Sequence, residues 1–234
     1  MSKSIPNIVE EWIESMDVDF IGTNMAYVDG TTSFDACSTS FAVVCGYVIV
    51  NNVEYEIASI DGNTITVNGT IPLAIELNWK LKLPFFIHGT PSQTNEELAL
   101  HMKSQKVTPL AYLFEPITER FKQGDMNPID REVDFVILFM NNYTVDQCTD
   151  DIYVKSLNAM RSLSDLFIET MEDDVALTDR DGMWYSYTTY AKHGFNYNRI
   201  GSKNGSFTNL LNQNLSGLEL AIHVPLKRQD KTCC

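Results

Sequence analysis

The chain has 234 residues, enough to bury a core as one large domain or two small ones. Its 31 acidic and 17 basic residues give a net charge of −14, which favours a soluble protein and disfavours binding to nucleic acid through phosphates. The longest apolar runs are far shorter than the roughly 20 residues of a membrane-spanning helix, so we expect no membrane association.

The N-terminal segment predicts a short amphipathic helix over residues 7–16. Pro6 suits the start of a helix, and Ile8, Trp12 and Ile13 fall on one helical face. This segment is acidic and does not resemble a secretion signal, so we expect assembly in the cytoplasm.

The next part of the chain changes to a β-rich pattern. β-branched and aromatic residues alternate with polar ones, and Asp61-Gly62 is typical of a hairpin turn. We predict a small β-barrel or β-meander at residues 36–70, inserted between two segments of one core, residues 1–35 and 71–234.

A capping-box pattern predicts where the second helix begins. Thr94 would cap the helix, and Glu97, three residues later, would reach back to the backbone of the cap. The prediction is a helix of about ten residues over 95–104.

Strands and one long helix make up the rest of the predicted core. Residues 107–114 and 133–140 are apolar strands, and the second is apolar on both faces, which is typical of a central strand. Residues 150–172 have helical periodicity, and residues 218–224 alternate as a half-buried strand. Because strands cluster and helices do not alternate with them, we predict an α+β fold.

The connector between the two apolar strands is the candidate contact surface. It is charged and interrupted by prolines, and it has no metal-ligand or nucleophile spacing, so ion pairs between subunits are the favoured interpretation. The candidate interface residues are Glu115, Glu119, Arg120, Asp130, Arg131, Glu132 and Asp134.

Two other functions stay open at this point. Asp130, Glu132 and Asp134 alternate along a strand and are able to line up for a divalent cation, as in a carboxylate-dependent metalloenzyme, although Arg131 lies among them. The aromatic segment 184–197 would suit a monomeric binding module, although packing is the more common role.

Neither the histidines nor the cysteines predict a cofactor. The four histidines lack zinc-type spacing, and the glycines match neither a dinucleotide nor a phosphate-loop pattern. Five scattered cysteines favour reduced thiols, and the adjacent Cys233 and Cys234 lack the spacing of a metal site. We predict no catalytic residue and no cofactor.

Several segments together resemble a known class of viral proteins. They are PLAYLFEPITERF, NPIDREVDFVILFM, YVKSLNAMRSLSDLFIE, SKNGSFTNLLNQNLSGLEL and LKRQDKTCC. Across roughly residues 86–234 they resemble head-to-tail connector and tail ring proteins of tailed bacteriophages of the crAss-like type.

This resemblance implies both a fold and a role. The core would be similar to tail-terminator proteins, with a small mixed or antiparallel sheet and helices packed on one face. Copies would form a sixfold or twelvefold ring in the virion. The ring would contact neighbouring portal, connector or tail ring proteins and let the genome pass without sequence-specific binding. It would have no active site.

Overall fold

Two β-assemblies dominate the fold, a closed six-stranded barrel and a five-stranded sheet. The computed structural model describes residues 4–16, 19–42, 46–102, 109–121, 129–142, 150–174, 186–192 and 215–227. The predicted α+β class is confirmed, with strands outweighing helices. The finer similarity to tail-terminator proteins stays a prediction.

The barrel closes through antiparallel pairing in the order β1-β2-β5-β4-β3-β6, with β6 returning to β1. Its strands are β1 Asp19–Val28, β2 Thr31–Ala36, β3 Tyr47–Val50, β4 Val53–Asp61, β5 Thr64–Asn68 and β6 Leu77–Leu81. Asn51 and Asn52 both have positive φ, as the tight turn between β3 and β4 requires. The predicted barrel is thus present.

The barrel extends beyond the predicted insert of residues 36–70. It also uses β1, nearly all of β2 and β6, which the sequence placed in the core segments. β1 was missed because most of its side chains are exposed and its register shifts between Thr23 and Ala26, so it lacks clean alternation.

Aromatic rings fill the barrel interior. Trp79 stacks on Phe20 at a ring-centroid distance of 4.7 Å and meets Phe34 at 5.5 Å. Gly22 lies directly beneath Phe34, where a β-carbon would come within 2.7 Å of the ring. These large rings give the small barrel a core of its own, separate from that of the sheet.

The second assembly is a sheet in the order β10-β11-β9-β8-β7. Its strands are β7 Phe85–Gly89, β8 Leu110–Phe121, β9 Ile129–Asn142, β10 Ser186–Lys192 and β11 Leu215–Lys227. All neighbours are antiparallel except β7 and β8, which are parallel. β9 lies in the middle and contributes buried side chains to both faces, so its predicted central position is confirmed.

Helices cover both faces of this sheet. They are α1 Ile5–Glu14, α2 Pro91–Met102 and α3 Asp150–Asp173. α1 and α3 share one face, where Trp12 meets Phe167 edge-on and donates through its indole N–H to Asp174 at 2.8 Å. Leu98 of α2 packs on the opposite face. The prediction of helices on one face is wrong for α2, because a strand that is apolar on both sides needs cover on both.

The second helix begins one turn earlier than predicted. Thr90, not Thr94, makes the reciprocal contacts of a capping box. Its backbone N–H donates to the side-chain oxygen of Gln93 at 3.1 Å, and the backbone N–H of Gln93 donates to the Thr90 hydroxyl at 3.5 Å. Pro91 follows at the first helical position, which it favours. Thr94 is therefore an internal, buried residue of α2.

The close pairing of β9 and β11 generates the first prediction. A β-carbon at Gly217 would lie 1.9 Å from the Phe139 carbonyl oxygen, and strand backbone cannot yield as a side chain can. We expect Gly217→Ala to lower the free energy of unfolding by about 3 kcal/mol, at the upper end of overpacking costs. Denaturant unfolding would measure this, and a wild-type midpoint would contradict the close approach.

Tyr112 generates a prediction about alkaline stability. Its phenol donates a hydrogen bond to the Gly89 carbonyl at 3.0 Å. Burial raises the pKa of Tyr112 above its ordinary value. The Thr94 hydroxyl lowers this pKa, and the negative charge of Glu115 raises it further. The resulting stability is fully present below pH ~10, where an unfolded tyrosine ionises, and is lost as pH rises through the folded pKa.

Tyr112→Phe removes this titration. Wild-type stability should therefore fall more steeply with alkaline pH than that of the variant, in denaturant unfolding measured across the pH series. Parallel curves for the two proteins would show that Tyr112 does not ionise differently in the fold.

Candidate subunit interface

Part of β8 extends past the end of its neighbour β7. The register of β7 on β8 ends at Gly89 opposite Phe114, and Gly89 has a φ of +135° as the chain leaves the sheet. Beyond that point, residues 118–121 pair with β9 on one side, and residues 115–121 pair with no other strand among the residues described. We name residues 115–121 the β8 overhang.

The β8 overhang is an exposed surface. All its side chains are exposed except that of Ile117, which is half-buried, and Phe121 at its end is 74% exposed. Pro116 and a register shift between Phe114 and Thr118 interrupt the regular ladder at its start. A bulge of this kind bends a strand and redirects its side chains.

A carboxylate on β9 links this surface to two other strands. One oxygen of Asp134 lies 2.6 Å from His223 Nδ1 on β11, and the other lies 2.9 Å from the Arg120 guanidinium on β8. Because an ionised carboxylate only accepts hydrogen bonds, Nδ1 of His223 carries the donated proton. Arg120 remains 58% exposed, so it is held in place while still facing solvent.

The predicted interface residues fall into three groups. Glu115, Glu119 and Arg120 lie on the exposed β8 overhang. Glu132 and Asp134 lie on β9, where Glu132 is in register with Arg120. Asp130 and Arg131 belong to β9 by backbone, but their side chains lie outside the described part of the chain.

His223 is the member of this cluster that the sequence did not predict. It lies on the polar face of an alternating strand, where the default expectation is contact with solvent. The contact with Asp134 joins residues 89 positions apart and depends on the β9–β11 register, so only a prediction of that pairing would have found it.

The geometry does not favour a metal site on β9. Arg120 places positive charge against Asp134, where a divalent cation would have to bind. Within the described residues, no group of three or more His, Cys, Asp or Glu side chains is arranged to hold a metal ion.

Other predicted features fall largely outside the described residues. Of the aromatic segment 184–197, residues 186–192 form β10, and the remainder is not described. Cys233 and Cys234 also lie outside this part. Cys37 is an exposed free thiol near the barrel, 3.4 Å from the Ile21 carbonyl oxygen.

Comparison with known proteins does not identify the chain. No family model, curated protein or solved structure matches it. None of the helices described has the length and apolar character needed to cross a membrane. A function must therefore be argued from the surface geometry itself.

The Arg120–Asp134 ion pair generates a prediction about coupling. Since both side chains are partly exposed, we expect a double-mutant cycle of Arg120→Ala and Asp134→Ala to give a coupling of about 0.5 kcal/mol. The coupling should fall at about 1 M salt, where charges are screened. A coupling of zero at low salt would contradict the ion pair. As a control, a cycle of Asp134→Ala with Glu10→Ala on α1 should show no coupling.

Proposed function

We propose that the chain is a structural subunit that assembles with copies of itself into a ring of the head-to-tail connector or tail of a bacteriophage virion. The observation that supports this most is the β8 overhang. It combines a strand edge that pairs with no second strand in the described part of the chain with exposed charge and an exposed aromatic residue. In a closed ring each subunit presents one patch to a different patch of the next, so a directional, charged edge is well suited to the contact.

The charges at this edge are held in fixed positions. Asp134 accepts hydrogen bonds from both Arg120 and His223. The ion pair with Asp134 therefore holds the Arg120 side chain in position while it stays exposed to solvent. Ordered charges set register and exclude wrong partners more than they add affinity. Exposed Phe121 supplies the aromatic character that is enriched at interfaces.

The barrel offers a second surface suited to a neighbouring ring. Ile75 is 92% exposed, and Leu73 and Val28 are also exposed apolar residues. The backbone N–H of Ala74 contacts the Met25 sulfur at 3.4 Å, which places this loop against β1, the strand that ends at Val28. Leu73 and Ile75 flank Ala74 in this loop, and exposed apolar groups are typical of protein contacts where they cluster. We assign them to a portal, connector or tail ring protein above or below.

The acidic composition suits passage of the genome. A net charge of −14 repels phosphates, so DNA moving through a sixfold or twelvefold ring of this chain would slide without sequence-specific binding.

Charge reversal at the β8 overhang tests the proposal. Glu115 is exposed and makes no contribution to the core, so Glu115→Lys should leave the unfolding midpoint unchanged while weakening assembly. Native mass spectrometry would show the wild-type chain as a discrete multiple of 26.5 kDa and the variant shifted towards monomer.

A matched control reverses a charge elsewhere. Glu96→Lys on the exposed side of α2 changes the net charge equally and should assemble like the wild type. A wild-type chain that stays monomeric at every concentration up to its solubility limit contradicts the proposed ring, and so does equal weakening by both variants.

A further inference from the structure

The opposite edge of the sheet is formed by β10. All seven residues of β10 pair with β11 in continuous register, from Ser186 opposite His223 to Lys192 opposite Gly217. Its other side has no strand partner within the described part of the chain. β10 contains no proline and no register shift, and Lys192 is its one charged residue. The strand therefore lacks the proline and the bulge that keep many edge strands from pairing with another chain.

Charge is distributed unevenly between the two edges. No Asp or Glu occurs in β10, and its one charged residue, Lys192, is cationic. The β8 overhang, in contrast, carries Glu115 and Glu119, and its one cationic residue, Arg120, is already paired with Asp134. The two edges therefore carry charges of opposite sign that are able to attract each other.

Strand directions make the two edges compatible. β9 is antiparallel to β8, β11 is antiparallel to β9, and β10 is antiparallel to β11, so β10 runs antiparallel to β8. A second copy placed beside the first in the same orientation thus brings its β10 antiparallel to the first copy's β8. Antiparallel pairs are slightly more stable per residue than parallel ones.

We propose that β10 of one copy pairs antiparallel with the β8 overhang of the next copy, so that the five-stranded sheets continue from subunit to subunit. This rests on the proposed ring function and names the contact that builds the ring. Pro116 cannot donate to the added strand, which leaves residues 117–121 as the paired part. Lys192 then lies at an edge that carries Glu115 and Glu119.

Self-pairing of two β10 strands is the competing arrangement. It brings two cationic strands together and leaves both acidic β8 overhangs unused. Such a two-fold contact also stops at a dimer, whereas the β10–β8 contact repeats from copy to copy and is able to close into a ring.

Zero-length cross-linking with a carbodiimide tests the contact on the native chain, because the reagent joins a lysine amine to a carboxylate only when the two are in direct contact. Labelled and unlabelled copies are mixed, treated and digested, and peptides joining different copies are found by mass spectrometry. We expect a link between Lys192 of one copy and Glu115 or Glu119 of another, with a ladder beyond dimer on a denaturing gel.

Lys192→Gln is the matched variant. It should lose this link and the ladder built on it while keeping the wild-type unfolding midpoint. If rings form without the Lys192 link, the β10–β8 contact is wrong and the proposed ring function still stands. If the cross-linked products stop at dimers, the β10–β8 contact is also wrong, because that contact repeats from copy to copy. A chain that neither assembles nor cross-links at any concentration overturns both.

Discussion

The pairing of β11 with β9 supports the rest of the sheet. Residues 215–226 of β11 are in continuous register with β9, and the two backbones approach so closely at Gly217 that no side chain fits there. Alternate residues of both strands, such as Phe139 and Leu220, form the core beneath α1 and α3. β8 and β10 then attach on either side of this pair, so the positions of the β8 overhang and of β10 both depend on it.

The same pairing produces the charged surface. Asp134 and His223 are register partners on β9 and β11, and Arg120 reaches Asp134 from β8. A slip of this register by one residue would move the charged side chains to the face that packs against α1 and α3. This coupling makes the positions of the surface charges as reproducible as the core, which a repeating contact between identical subunits requires.

Hydrophobic periodicity predicted much of the sheet, because burial imposes it. The central strand at 133–140, the alternating strand at 218–224 and the helix at 150–172 were all found. Features set by non-periodic contacts were missed. The cap of α2 is Thr90, which directly precedes Pro91, and not the predicted Thr94. The contact between Asp134 and His223 depends on the register of β9 with β11, which no local sequence pattern encodes.

Electron cryo-microscopy of the assembled chain tests the central claim most directly, because it shows both the symmetry and the contact. The account predicts closed rings in which the sheet of each subunit continues into the next through the edges formed by β8 and β10. Particles that are monomeric, or two-fold dimers joined through another surface, would contradict it.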